Sequence, residues 1–202
     1  MNDYYFSINR EESIELKFKG SRFIGRSFKT GSLSVVESKL QGIRKQEYSA
    51  THNCYGWTYG LFNERTFKYS DDGEPSGTAG KPIYDHIEGN NLSNALIIVT
   101  RYFGGTKLGT GGLVKAYSET TKEVISLSGI KKIYLTDLVK VDLDFTLYNQ
   151  LLNQLPNYEA TITNSEFSDH VKLEISIRKS KSEMFIKMIT DLSGGKAIIE
   201  KN

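Results

Sequence analysis

Leu96-Ile-Ile-Val-Thr100 runs without a break into Arg101-Tyr-Phe-Gly-Gly-Thr-Lys-Leu-Gly-Thr-Gly-Gly112, and this join decides how the chain is read. The first segment is a continuous apolar run rich in β-branched residues, the pattern of a central strand covered on both faces. The second places five glycines in nine positions: Gly104, Gly105, Gly109, Gly111 and Gly112. Leu113–Leu127 then carries helical periodicity through Val114, Tyr117, Val124 and Leu127, with Gly129 as its stop. A glycine loop between a buried strand and a helix N-terminus turns unpaired backbone N–H groups toward an anion. Arg101, Lys107 and Lys115 add positive charge around it. A tight structural turn, with Lys107 solvated at its tip, accounts for the same residues and stays open.

Upstream, Ile14–Lys19 alternates apolar and charged residues, the period of a half-buried strand, and Arg22–Lys29 reads as its hairpin partner across Gly20-Ser21. Ser32 is placed to cap a helix running to about Tyr48, since Val35, Val36, Leu40 and Ile43 share a face. Strands follow at Asn53–Phe62 and Thr66–Tyr69, around a turn at Asn63-Glu64. The polar stretch Ser70-Asp-Asp-Gly-Glu-Pro-Ser-Gly-Thr-Ala-Gly80 has almost nothing to bury, and Lys81–Glu88 makes a short helix with Pro82 in its first turn.

Downstream of Tyr134 the pattern restarts. Leu138–Phe145 reads as a strand, Leu147–Leu155 as a helix ended by Pro156, and Tyr158–Thr163 and Val171–Ile177 as strands. A helix capped by Ser182 and stopped at Gly194-Gly195 comes next, then a short strand at Ala197–Glu200. The order β-α-β-β-α-β is the ferredoxin-like split pattern. With the boundary near Lys131–Leu135, the chain divides into domains 1–133 and 134–202.

Apolar residues make up 38% and charged residues 25% of the 202, an ordinary globular composition. Membrane association is not expected, because no apolar run approaches the roughly 20 residues a spanning helix needs. The start of the chain lacks the pattern of a secretory signal. The single cysteine, Cys54, rules out an internal disulfide framework and fits a reducing compartment, so a cytoplasmic protein is expected. Residues 1–133 carry 18 basic against 14 acidic side chains and the remainder 8 against 10, so a phosphate-binding face belongs on the first part.

Established phosphate fingerprints fail. Gly104 is followed at P-loop spacing by Gly109-Thr110 with no lysine, and Gly109-Thr110-Gly111 is followed three residues on by Val114 where a dinucleotide loop has glycine. Asp71, Asp72 and Glu74 form an acidic knot suited to a divalent cation or to one general base; an Asp-Asp-Gly turn bonding its own backbone explains them equally. His52 and Cys54 lie two apart and share a face if extended, which allows a nucleophilic pair, although a small buried cysteine fits too. Tyr102-Phe103 reads as strand-end core or, if exposed, as a base-stacking pair.

Taken together, His52-Asn-Cys-Tyr55, Asp71–Gly80 and Arg101–Tyr117 resemble the signature of the IMPACT family, and the later part resembles the short C-terminal domain of its bacterial YigZ branch. The resemblance implies an α+β fold: an N-terminal α/β sandwich like ribosomal protein S5 domain 2, plus a C-terminal ferredoxin-like domain similar to elongation factor G domain V. It also implies a link to translation, with RNA or a ribosome-associated protein as partner. Two functions follow as expectations. One is a non-enzymatic binder, using Arg101, Lys107, Lys115 and the glycines on phosphates, with His52, Ser76 and Thr78 in the cleft. The other is a hydrolase or phosphotransferase with Asp71, Asp72 or Glu74 as base. No cofactor is expected, although a divalent cation on the acidic knot is allowed, and no oligomeric state follows.

Overall fold

The structure, a computed structural model, describes residues 3–201. Met1, Asn2 and Asn202 lie outside the described residues, and with them the outer bounds expected for the two domains. The chain divides into two compact units. One is Tyr5–Ile133; the other begins at Tyr134 and takes in Asp3 and Tyr4 as well.

In the first unit a five-stranded antiparallel sheet is built from β2 (Glu12–Phe18), β3 (Ser21–Lys29), β4 (His52–Tyr59), β5 (Thr66–Ser70) and β6 (Ala95–Tyr102). Its order is β2-β3-β6-β4-β5, so β6 is central. Seven of its eight residues are buried, which is why it reads as unbroken hydrophobicity. Ile97 and Val99 pack toward helices α2 (Gly80–Gly89) and α3 (Gly109–Ser128). Leu96 and Ile98 pack on the opposite face, with Val36 and Ile43 of α1 (Leu33–Gln46). Ser32 caps α1 as expected, accepting from the Val35 N–H at 3.3 Å. β4 ends at Tyr59 rather than Phe62, because Gly60 and Phe62 take positive φ and lead into a short 3-10 turn, Phe62–Glu64.

Two strands were not foreseen. β1 (Tyr4–Ile8) pairs with β7 (Ile130–Tyr134), and the expected boundary near Lys131–Leu135 falls on β7. The second unit has β8 (Thr136–Leu143), α4 (Phe145–Gln154), β9 (Thr161–Phe167), β10 (Val171–Arg178), α5 (Ser182–Leu192) and β11 (Ile198–Lys201). Its antiparallel order β11-β8-β10-β9 is the ferredoxin-like arrangement. Inward residues of β8 and β10 pack with Leu151, Phe185 and Ile189 of the two helices. The starts of both helices differ from expectation. Asp144 accepts from the Thr146 N–H and starts α4 earlier. Ser182 is the first residue inside α5 rather than its cap, its hydroxyl buried and unpartnered, because the turn Lys179–Lys181 leads straight in.

Asp3 is fastened within the second unit. Its carboxylate accepts from Arg178 Nε at 2.6 Å and Nη2 at 2.9 Å, and from the Ser180 N–H at 3.3 Å. These bonds, the Arg178 guanidinium first among them, hold the carboxyl well below its ordinary value of 3.8. A carboxyl depressed by folding contributes stability above its unfolded pKa, and that contribution is lost as pH falls through the folded one. Asp3→Asn should therefore melt below wild type at neutral pH, and the two curves should converge as pH drops through and beyond the carboxylate range. Calorimetry across that range checks this; a gap that persists in acid would show that the pair contributes nothing electrostatic.

Candidate functional site

Antiparallel pairing sets His52 of β4 directly opposite Arg101 of β6, at one end of the sheet. Asp71–Ala79 crosses that end between β5 and α2, and α3 brings Tyr117 from the helical layer. Glu74 is the meeting point. Its Oε1 accepts from Arg101 Nη1 at 2.6 Å and from the Tyr117 hydroxyl at 2.9 Å. His52 Nε2 stands 3.8 Å from the same oxygen. Arg101 is 6% exposed and Glu74 8%, so the pair is closed from water. Arg101 is therefore not an open cation ready for a phosphate, as its position beside the glycine loop suggested; a buried carboxylate answers its charge.

The three carboxylates of the acidic knot turn to different partners. Asp71 accepts from the backbone N–H groups of Gly77 at 2.9 Å, Ala79 at 2.9 Å and Gly80 at 2.8 Å. Asp72 accepts from the Asn53 N–H at 2.7 Å and lies 3.4 Å from Arg44. Asp72 and Gly73 both take positive φ, and the Glu74 N–H bonds the Asp71 carbonyl at 2.9 Å, closing a turn. Among the described residues no group of three or more His, Cys, Asp or Glu is placed to hold a metal ion. In the fold Asp71, Asp72 and Glu74 each act as hydrogen-bond acceptors, for backbone N–H groups in the first two and for Arg101 and Tyr117 in the third.

A cleft of about 330 Å³ opens above this network, with both motif segments on its rim. Pro75, Phe103, Leu108 and Leu113 give it apolar walls, and His52, Glu74 and Arg101 reach its floor. Thr51, Lys107, Gly109 and Thr110 complete it. His52 Nδ1 lies 2.8 Å from the Asp72 carbonyl; a carbonyl only accepts, so Nδ1 carries the proton and Nε2 is left toward the cleft. Phe103 is 47% exposed, outside the core. Tyr102 instead donates to Glu47 at 2.6 Å under the Arg22 guanidinium.

Other expected residues fall elsewhere. Gly104 serves packing, since a Cβ there would lie 2.0 Å from the backbone of Gly20. α3 begins at Gly109, four residues earlier than its apolar periodicity indicated, so Gly109, Gly111 and Gly112 are its first turn rather than loop. Lys115, its side chain 71% exposed, lies 3.7 Å from Glu119 on α3 and does not line the cleft. Ser76 is exposed, and the Thr78 hydroxyl donates to the Pro75 carbonyl at 2.7 Å. Tyr117, whose hydroxyl interrupts the buried stripe of α3, is the residue that sequence reasoning took for plain core.

Cys54 lies beneath the network, its Sγ 3.0 Å from the Asp71 carbonyl and 3.3 Å from the Tyr117 hydroxyl. Burial pushes the thiol far above its ordinary 9.0 and does the same to the Tyr117 phenol. A protonated, buried thiol is no nucleophile. A shallow depression of about 430 Å³ on the second unit's sheet carries mixed charge that is partly self-paired, Lys140 to Glu174 at 3.3 Å, and contains none of the motif residues.

Two outcomes test the network. Glu74→Ala leaves Arg101 buried without its partner, so stability should drop by about 3–5 kcal/mol, read by denaturant melts; a loss under about 1 kcal/mol would be that of an exposed pair. Cys54 should resist a thiol reagent in the native protein and react in denaturant. Fast stoichiometric labelling of the native state would restore it as a nucleophile.

A family model described as the Impact N-terminal domain matches residues 19–125, and one described as a domain of unknown function (DUF1949) matches residues 141–196. The chain is 32% identical over 197 residues to the "IMPACT family member YvyE" of Bacillus subtilis, covering 98% of this chain and 90% of that protein. It is 32% identical over 187 residues to the "IMPACT family member YigZ" of Escherichia coli, covering 89% and 88%. A "Protein IMPACT homolog" of Dictyostelium discoideum matches at 38% over 96 residues, 47% of this chain and 27% of that one. A crystal structure described as that of a hypothetical protein superposes with a TM-score of 0.69 at 26% identity, covering 98% and 97% of the two chains.

Proposed function

Because this chain belongs to the IMPACT family, we propose that it is a translation-linked regulator that binds RNA through the cleft of its first unit and performs no chemistry there. The supporting observation is how the cleft's groups are used. Its carboxylate, Glu74, is tied to Arg101 and Tyr117, while Asp71 and Asp72 hold backbone. The groups turned outward are Lys107, the half-exposed Phe103 ring and the first backbone turn of α3. Cation, ring and bare backbone are what a nucleotide uses: phosphate contact, stacking and close approach. The link to translation comes with the family resemblance. No helix among the described residues is long and apolar enough to cross a membrane.

With Arg101 neutralised and Lys115 outside the cleft, Lys107 is the cation available to a strand here. Each phosphate neutralised on a single strand contributes about −0.7 to the log–log salt slope, so about −0.7 is expected. Lys107→Ala should flatten it by about 0.7 without changing sequence preference. Fluorescence anisotropy with a labelled oligoribonucleotide, titrated with salt, reads both quantities; no binding at low salt, or identical curves for the two proteins, would overturn the RNA reading. One observation favours an enzyme instead: His52 presents a tautomer-fixed Nε2 to the cleft. Turnover of a phosphate ester by wild type that is lost in His52→Ala would put catalysis first.

A further inference from the structure

We infer that the floor of the cleft selects a nucleobase carrying an exocyclic amino group, taken base-first with its phosphate out at Lys107; the inference rests on the RNA-binding reading and names the unit that is held. Two hydrogen-bond acceptors on that floor are without donors. His52 gives its Nδ1 proton to the Asp72 carbonyl at 2.8 Å, which leaves a lone pair on Nε2. Nε2 stands 3.8 Å from Glu74 Oε1, too far for a hydrogen bond and facing another acceptor. Glu74 commits Oε1 to Arg101 and Tyr117, and its Oε2 has no partner among the described residues. Both side chains line the cleft, His52 18% exposed and Glu74 3%. The Arg101 guanidinium is turned to Glu74 Oε1 and Ser21 and relieves neither acceptor. A carboxylate oxygen drawn out of water and left without a donor is a cost the fold does not recover. A ligand that brings a donor recovers it.

The amino groups of adenine, cytosine and guanine each offer two N–H donors in the plane of the ring. Uracil offers one N–H flanked by two carbonyl oxygens, and those oxygens would meet acceptors. The remaining lining suits the rest of such a ligand. Pro75, Leu108 and Leu113 are apolar walls for a flat ring, and Phe103, 47% exposed, is free to stack on it. Lys107, unpaired among the described residues, supplies a cation for the phosphate. At about 330 Å³ the cleft lies at the small end of small-molecule sites and holds one nucleoside unit. Arg101 already balances the charge of Glu74, so the floor has no net field to draw in a cation. A neutral donor group meets its acceptors without opposing Lys107, and an ammonium does not.

The test uses the full chain in calorimetry with AMP, CMP, UMP, pentaribonucleotides of adenosine alone and of uridine alone, and phenylalanine. AMP and CMP should bind, and UMP should bind about tenfold or more weaker, because it leaves the acceptors unpaired. The adenosine strand should exceed the uridine strand in the same sense. His52→Leu removes the Nε2 acceptor, so AMP should fall toward UMP while UMP is left nearly unchanged. Lys107→Ala should weaken AMP and UMP alike, by about tenfold, and preserve their ratio. That variant and the wild-type ratios decide the matter even where His52→Leu folds poorly. Equal binding of AMP and UMP would overturn the selection of an amino-bearing base; strands that still bind would leave the RNA reading standing. AMP preferred over UMP with neither strand bound would keep the base site and overturn the RNA reading, pointing to a free nucleotide. No binding of any mononucleotide, or an AMP preference that survives in folded His52→Leu, would overturn the inference outright. Phenylalanine carries an ammonium, a ring and a carboxylate, and its binding more tightly than AMP would put an amino acid in place of the base.

Discussion

The buried pair of Arg101 and Glu74 holds together everything that meets at this end of the first unit. Two opposite charges removed from water recover their hydration only when each has further well-placed partners. Glu74 has Tyr117 from α3 and His52 from β4 nearby, and Arg101 has Ser21 of β3 at 3.4 Å. Three strands, one helix and the polar connection are thereby fixed by a single carboxylate. This explains how Ser70–Gly80, with so little apolar surface, adopts one ordered course. Its anchor is electrostatic and buried, where most loops rely on apolar side chains.

The course leading to Glu74 depends in turn on Asp71. α2 begins after Ala79, a residue with no side-chain acceptor for the helix's first N–H groups. Asp71 serves in its place from eight residues upstream, accepting from Ala79 and Gly80 with one oxygen and from Gly77 with the other. It is an N-cap supplied at a distance, and it pins the two ends of the connection together. The Asp72-Gly73 turn then aims Glu74 inward, so three neighbouring acids do three different jobs. That division keeps like charges apart, where a shared metal would have required them together.

Local patterns were legible where a single physical rule acts along the chain. The unbroken apolar run 96–100 announced a strand covered on both sides, alternation announced β2 and β8, and the Gly20-Ser21 turn announced β3 as the partner of β2. What the residues hid was pairing at a distance. β1 and β7 have ordinary sequences and become strands because they find each other across more than a hundred residues. Arg101 beside a glycine loop reads as an anion-binding cation until Glu74, 27 residues away, is seen against it. α3 starts before its apolar stripe because its first turn, Gly109–Gly112, is exposed, with Gly109 and Thr110 bordering the cleft. Periodicity detects burial, and a helix end that borders a cleft has none to detect.

The same reasoning explains why net charge says little about this site. The first unit's modest basic excess includes Arg101, whose charge is spent inside the fold, and Lys115, which leans toward Glu119. A cleft with one cation at its rim, apolar walls and a neutralised ion pair on its floor does not attract polyanions by long-range field. Its selectivity has to come from short-range fit: backbone N–H groups at fixed positions, a ring of fixed tilt, a volume for one small group. Such a site discriminates by shape and hydrogen-bond direction.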